Sequence, residues 1–250
     1  MARTGIVGSD EAVRWPKRVP VLTEEQEKIR DEFLYEWLKT LPASPWYRRL
    51  ELFNQTYVLP RKILKGSRTL EIGGGLGAHL EFEEWADQEY TVLEMRPEFV
   101  EKLKERWPGV EVVQGDIQRR CSFEDDTFDR VVAIHVLEHL PNLPAALKEI
   151  RRVLKPEGVL SVVIPCEGGW VYEVARKIST KRMFERKYKT SYEWFIRSEH
   201  VNTAQEIIEE MEKEYLLSDK TFWPTRIPVI NLNLVIGMTL RIGDARTSTD

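Results

Sequence analysis

Glu71 is followed at two-residue steps by Gly73, Gly75 and Gly77, directly after the apolar residues Leu70 and Ile72. A carboxylate beside residues that lack a Cβ suits the holding of a polar ligand. Glycine accepts positive φ and lets main-chain N–H groups approach closely. Glu94 closes the run Tyr90-Thr91-Val92-Leu93, 21 residues beyond Gly73, and an acid at a strand end can accept from both hydroxyls of a ribose. His135, His139 and His200 carry a different chemistry, since imidazole that is neutral near pH 7 can take the proton of a hydroxyl nucleophile. Structural roles compete at two of these positions. His139 lies in a Glu-His-Leu turn that a hydrogen-bonding ring would organise, and His200 stands just before a helix capped by Asn202 or Thr203.

Positioning these residues requires alternating strands and helices. Apolar runs predict strands near 68–72, 90–94, 110–114, 128–134 and 158–164, with helices near 78–88, 97–107 and 142–155 between them. Lys155-Pro156-Glu157-Gly158 reads as the stop of the last of these helices. Such alternation describes a doubly wound α/β sheet covered on both faces. Upstream, residues 1–22 read as an arm. Thr23 and Gln26 then form a capping box for a helix bearing Ile29, Phe33, Leu34, Trp37, Leu38 and Leu41 on one face, up to Pro42. A second helix spans about Trp46 to Leu59, so that residues 1–60 make a helical cover and 61–250 the main domain. A helix from about Thr203 to Tyr215 and strands near 217–223 and 231–242 complete the chain.

Composition narrows the setting. A chain of 250 residues with net charge −4 fits one large domain with additions and has no global attraction for nucleic acid or anionic membrane. Cys121 and Cys166 stand far apart without metal-ligand spacing, so neither a disulfide framework nor a metal site is indicated and a cytoplasmic location is expected. No apolar run is long enough to span a bilayer.

The loop alone leaves two cofactors open, because Gly73, Gly75 and Ala78 also satisfy the Gly-x-Gly-x-x-Gly/Ala pattern of nicotinamide and flavin enzymes. A longer stretch separates them. Phe128 to Leu140, followed by Leu147 to Gly158, closely resembles the fourth strand, fourth helix and fifth strand of class I S-adenosylmethionine-dependent methyltransferases, and Glu71-x-Gly73-x-Gly75-x-Gly77 resembles their first motif. The one Tyr-x-x-x-Lys pair, Tyr35 with Lys39, lies upstream of the loop, the wrong place for a short-chain dehydrogenase. The resemblance covers about residues 66–166 and implies a Rossmann-like seven-stranded sheet, mostly parallel, with an antiparallel last strand. It further implies that Glu71, Gly73, Gly75 and Gly77 surround the methionine part of the cofactor and that Glu94 takes the ribose. Met95, Asp116 and Ile117 would form the adenine pocket, with His135 facing the cofactor. Asp116 can also be read as a helix cap. Gly74, at a position that varies in the family, is expected only to loosen the turn.

Substrate contacts are expected from a helical insert at about 168–202, where basic residues interleave with Trp170, Tyr172, Phe184, Tyr188, Tyr192, Trp194 and Phe195. Such a segment could form a lid that stacks on a saccharide ring and holds a phosphate; equally, its aromatics could be core. The expected activity is methyl transfer to a small molecule at oxygen, on a sugar-containing or phosphate-bearing acceptor, with His139 and His200 as candidate bases. Nucleic acid and membrane are disfavoured as partners, and a homodimer is allowed.

Overall fold

The computed structural model of the protein describes residues 15–40, 47–60 and 65–243. Its strands are β1 (Arg68–Ile72), β2 (Glu89–Glu94), β3 (Glu111–Gln114), β4 (Phe128–Ile134), β5 (Leu154–Pro165), β6 (Tyr215–Trp223) and β7 (Val235–Ile242). They form one sheet in the order β3-β2-β1-β4-β5-β7-β6. Pairing is parallel from β3 to β5, and β7 runs antiparallel to both of its neighbours. This is the seven-stranded arrangement expected from the sequence.

Helices α1 (Glu24–Thr40) and α2 (Arg48–Tyr57) precede the sheet; α3 (Pro97–Arg106), α4 (Leu143–Val153), α5 (Trp170–Arg176), α6 (Arg182–Tyr188), α7 (Glu193–Glu199) and α8 (Ala204–Glu214) follow within it. Alternate residues of the central strands face opposite layers. Val131, Ala133, Leu160 and Val162 join the core shared with α4 and α8, whereas Val132 and Val163 pack with Val58, Phe53 and Tyr57 at α2. Burial on both faces explains why these strands are continuously apolar.

The capping box forms as expected, with the Thr23 N–H donating to Gln26 Oε1 at 2.9 Å and the Gln26 N–H to Thr23 Oγ1 at 3.3 Å. Leu41, Pro42 and Trp46 lie outside the described residues, as do residues 1–14 of the arm. The described end of the arm is anchored. Trp15 packs against the main core, and Lys17 Nζ donates to the Val201 carbonyl at 2.9 Å and to Glu206 at 2.6 Å.

Two expected elements are corrected. Residues 78–88 do not form a helix but two short turns, His79–Glu81 and Trp85–Asp87. Buried Leu80 is followed at the helical spacings by Glu83 and Glu84, which a helix here would have placed on the same face. Glu83 instead turns inward, where it meets buried Arg130 and His79 Nε2, the latter at 3.2 Å. Burial disfavours its charge, yet the His79 and Arg130 contacts hold its carboxyl down at about 2. Glu83→Gln would leave Arg130 charged and uncompensated, and we expect a loss of about 3–5 kcal/mol, read from the urea midpoint. The second correction concerns α4, which ends at Val153, so that Lys155-Pro156-Glu157-Gly158 belongs to an irregular start of β5. Phe128 pairs with Leu154 but Arg130 with Val159, and the extra residues fold over Leu154, whose side chain a Cβ on Gly158 would meet at 2.7 Å.

Candidate active site

A cleft of about 680 Å³ opens at the carboxyl ends of β1, β2 and β4, bounded on the other side by α1, α2, α5 and α7. Its floor is the glycine loop. Gly73, Gly75 and Gly77 take φ of +69°, +55° and +77°, values that disfavour a side chain. At Gly75 the missing Cβ faces the cleft, with Leu38 Cδ1 the nearest atom at 3.7 Å. Gly74 departs from expectation, because a Cβ there would lie 2.5 Å from Cγ1 of buried Val92. It is needed for close packing of the loop on β2. Gly74→Ala should destabilise the protein by about 1–3 kcal/mol, lowering the thermal midpoint by roughly 2–12 °C.

Glu71 lies beneath this loop, accepting from the Tyr90 hydroxyl at 2.9 Å. Burial pushes its carboxyl above the usual range, partly offset by His79 and the Tyr90 hydrogen bond. Glu94, also buried, accepts from the Gly75 N–H at 3.0 Å and from the Arg96 N–H at 2.9 Å, which ties the end of β2 to the loop. Met95 is exposed in the cleft and Ile117 is buried beside it. Asp116 caps no helix. It accepts from the Gln118 N–H at 2.9 Å in a local turn.

The same cleft holds an ionisable cluster around Glu138, which is completely buried. His135, in the left-handed region at φ +53°, places Nδ1 3.2 Å from Glu138 Oε1, and His139 Nε2 lies 4.0 Å from the same oxygen. His139 Nδ1 donates to the Glu199 carbonyl at 2.7 Å, which leaves Nε2 with its lone pair. His200 Nδ1 pairs with Glu167 Oε2 at 2.7 Å, and the rings of His139 and His200 meet edge to face at 4.9 Å.

These surroundings push the two imidazoles apart. Burial lowers His139 below the ordinary histidine value despite nearby Glu138, and His200 adds to the lowering. For His200 burial is outweighed by Glu167 and Glu138, and its value rises. Burial alone would raise Glu138, but the His135 hydrogen bond and the neighbouring imidazoles hold it down at about 2. One ring is therefore set to be neutral and the other to keep its proton. Glu138, His139 and His200 also offer one donor atom each within 4.8 Å of one another, a spacing that can accept a cation.

Several contributors were not singled out in the sequence. Glu138 and Glu199 are sequence neighbours of His139 and His200, the one available signal, whereas Glu167 is marked by nothing local; Arg176 belongs to the basic residues already expected in the 168–202 segment. Asn202 does not cap α8; Thr203 does, in a capping box with Glu206. The Asn202 amide instead donates to the carbonyls of Leu137 and Leu140, both at 2.8 Å, clamping the turn that carries Glu138 and His139. The aromatics of the 168–202 segment are largely core. Phe184, Tyr192 and Phe195 are buried around Phe33 of α1, with Phe33 to Phe184 and Phe195 centroids at 5.0 and 5.1 Å.

The sequence and the fold are similar to those of known proteins. Residues 70–162 match the family model described as a methyltransferase domain. That segment of the chain is therefore similar to methyltransferase domains. Among similar proteins, a probable phthiotriol/phenolphthiotriol dimycocerosates methyltransferase of Mycobacterium ulcerans is 34% identical over 109 residues, 41% of this chain and 42% of the relative. Sterol 24-C-methyltransferase erg6 of Schizosaccharomyces pombe is 31% identical over 158 residues, 57% of this chain and 41% of the relative. The matched regions thus span about two fifths of these relatives' length. The N-methyltransferase NodS of Bradyrhizobium japonicum, solved with S-adenosyl-L-homocysteine, shares the fold with a TM-score of 0.60 at 17% identity, covering 87% of this chain and 98% of that one.

Proposed function

We propose that the protein methylates a hydroxyl oxygen of a small, sugar-containing or phosphate-bearing acceptor, using S-adenosylmethionine in the cytoplasm. The observation that carries this reading is the placement of a neutral-leaning imidazole, His139, in the same cleft as the open cradle at Gly75. A cleft of about 680 Å³ is of the size that holds small-molecule ligands. S-adenosylmethionine supplies a methyl group already activated by its sulfonium, so the chain mainly aligns and deprotonates.

Glu94 receives the ribose hydroxyls, Met95 and Ile117 enclose the adenine with Asp116 as acceptor, and the Gly73 to Gly77 loop follows the methionine part above Glu71. His135 borders the cofactor end. With S-adenosylmethionine bound as methyl donor, His139 Nε2 would take the proton of the acceptor hydroxyl, and Glu138 would stabilise the resulting imidazolium. His200, protonated against Glu167, donates to the acceptor and orients it. Arg176 favours an anionic group: its Nη1 is buried 3.1 Å from Glu167 Oε1 yet makes no aligned hydrogen bond, leaving a donor unspent. Relatives named for lipid and sterol substrates support small molecules as acceptors, and the unpaired thiols Cys121 and Cys166 suit a reducing compartment.

The test is incubation with methyl-labelled S-adenosylmethionine and a metabolite extract, followed by mass identification of the product. Label on an ether oxygen of a sugar or phosphate ester is expected; label on nitrogen or carbon would overturn the oxygen assignment. By calorimetry, S-adenosylhomocysteine should bind and NADH should not.

A further inference from the structure

α5 and α6 are joined by the π turn Lys177–Lys181, so Trp170 to Tyr188 is a continuous helical segment with two unlike faces. Tyr172, Ala175, Arg176 and Ser179 line the cleft. On the opposite face Trp170, Val174 and Ile178, spaced four residues apart, are 67%, 39% and 70% exposed. Beside them, Val229 and Leu232 at the turn packed on α5 are exposed as well. An exposed apolar row on a helix that covers a cleft is costly in water unless something covers it in turn.

The charges on this segment say what that is. Its carboxylates are all satisfied internally: Glu167 by His200 and Arg176, Glu173 by Arg176, and Glu185 and Glu193 by Lys181. Among the described residues, Lys177, Arg182, Arg186 and Lys189 have no carboxylate partner. A net positive surface therefore surrounds an aliphatic row with an indole at one end. That combination is the signature of a helix lying in the interface of an anionic bilayer, its apolar side among acyl chains and its cations at the headgroups. Nucleic acid fits less well. A single-strand platform needs exposed aromatic faces, and here the other aromatics are turned into the core while the exposed row is aliphatic.

We propose that the outer face of α5 and α6 docks the protein on an anionic membrane surface, so that the cleft behind this helix takes its acceptor from lipid headgroups. This departs from the expectation, drawn from overall charge, that no membrane partner exists; the net charge of −4 hides a local patch of the opposite sign. It deepens the proposed function by naming the class that bears the sugar or phosphate, and rests on that reading only for the identity of the acceptor.

Sedimentation of the full chain with vesicles tests the docking. Equimolar phosphatidylglycerol and phosphatidylcholine vesicles should bind it at least about tenfold more strongly than phosphatidylcholine alone, with binding weakened by salt. The double variant Trp170→Glu/Ile178→Glu should lose at least about tenfold in partitioning while keeping parental affinity for S-adenosylhomocysteine. Lys177→Glu/Arg182→Glu should lose the preference for anionic vesicles. Absence of binding to either vesicle, or parental partitioning by the first double variant, overturns the proposal. So does a gel shift with bulk tRNA that shows the same dependence on these residues. Loss of S-adenosylhomocysteine binding by the unmodified chain would instead refute the cofactor reading and leave the docking result standing.

Discussion

His139→Gln is expected to slow single-turnover methyl transfer at saturating cofactor by at least about a hundredfold, with S-adenosylhomocysteine affinity staying parental. The size follows from the usual worth of a positioned base, about a hundred- to ten-thousand-fold. The pH profile makes the assignment specific. In the proposed mechanism His139 works neutral, and its value is lowered, so the rate is expected to rise with pH on a limb below the ordinary histidine value of ~6.5. In that mechanism His200 works protonated, and its value is raised, so the rate is expected to fall again at a pH above ~6.5. The parental profile is therefore a bell. His139→Gln should remove the acidic limb and His200→Gln the alkaline one, and rates unaffected by a chelator would separate proton transfer from catalysis by a cation at Glu138, His139 and His200. Near-parental rates for the variants of all three histidines would mean that alignment alone suffices, and an acceptor that ionises easily would become the better hypothesis.

Glu94→Ala weakens S-adenosylhomocysteine binding by about 1.5–3 kcal/mol, roughly ten- to 150-fold in calorimetry, with the fold retained. Two losses contribute. In the proposed binding mode the ribose loses its acceptor, and the Gly75 and Arg96 N–H groups lose the carboxylate that holds the loop against β2. Gly75→Val should act on the same site by a different route, because its side chain would enter the open cradle and its φ of +55° is unfavourable for a β-branched residue. A folded Glu94→Ala protein that binds with parental affinity would remove the main support for this assignment.

The strands, the glycine loop and the acid that closes β2 were legible in the sequence because their causes are local. A strand buried on both faces must be apolar throughout, as Val131 to Ile134 are, and a loop at positive φ favours glycine. The helices α3, α4 and α8 were readable for the same reason, since each carries an apolar stripe.

What tertiary structure alone decided is which groups meet. Glu138 lies within hydrogen-bonding or Coulomb range of His135 and His139, its near neighbours in the chain, but the Glu167–His200 pair reaches the cluster across 33 residues, and the His139 hydrogen bond to Glu199 spans 60. No spacing rule links such distances, so the opposite tuning of the two imidazoles could not be anticipated. Residues 78–88 illustrate the reverse case. A helical reading followed from their position after the loop, but the pull of buried Arg130 on Glu83, a partner 47 residues away, drew the segment inward. Sequence likewise showed that the 168–202 segment is basic and aromatic, yet only packing against Phe33 determined that Phe184, Tyr192 and Phe195 turn inward and leave Trp170, Val174 and Ile178 facing out. Burial is a property of the partner surface, and α1 supplies that surface from well over a hundred residues upstream.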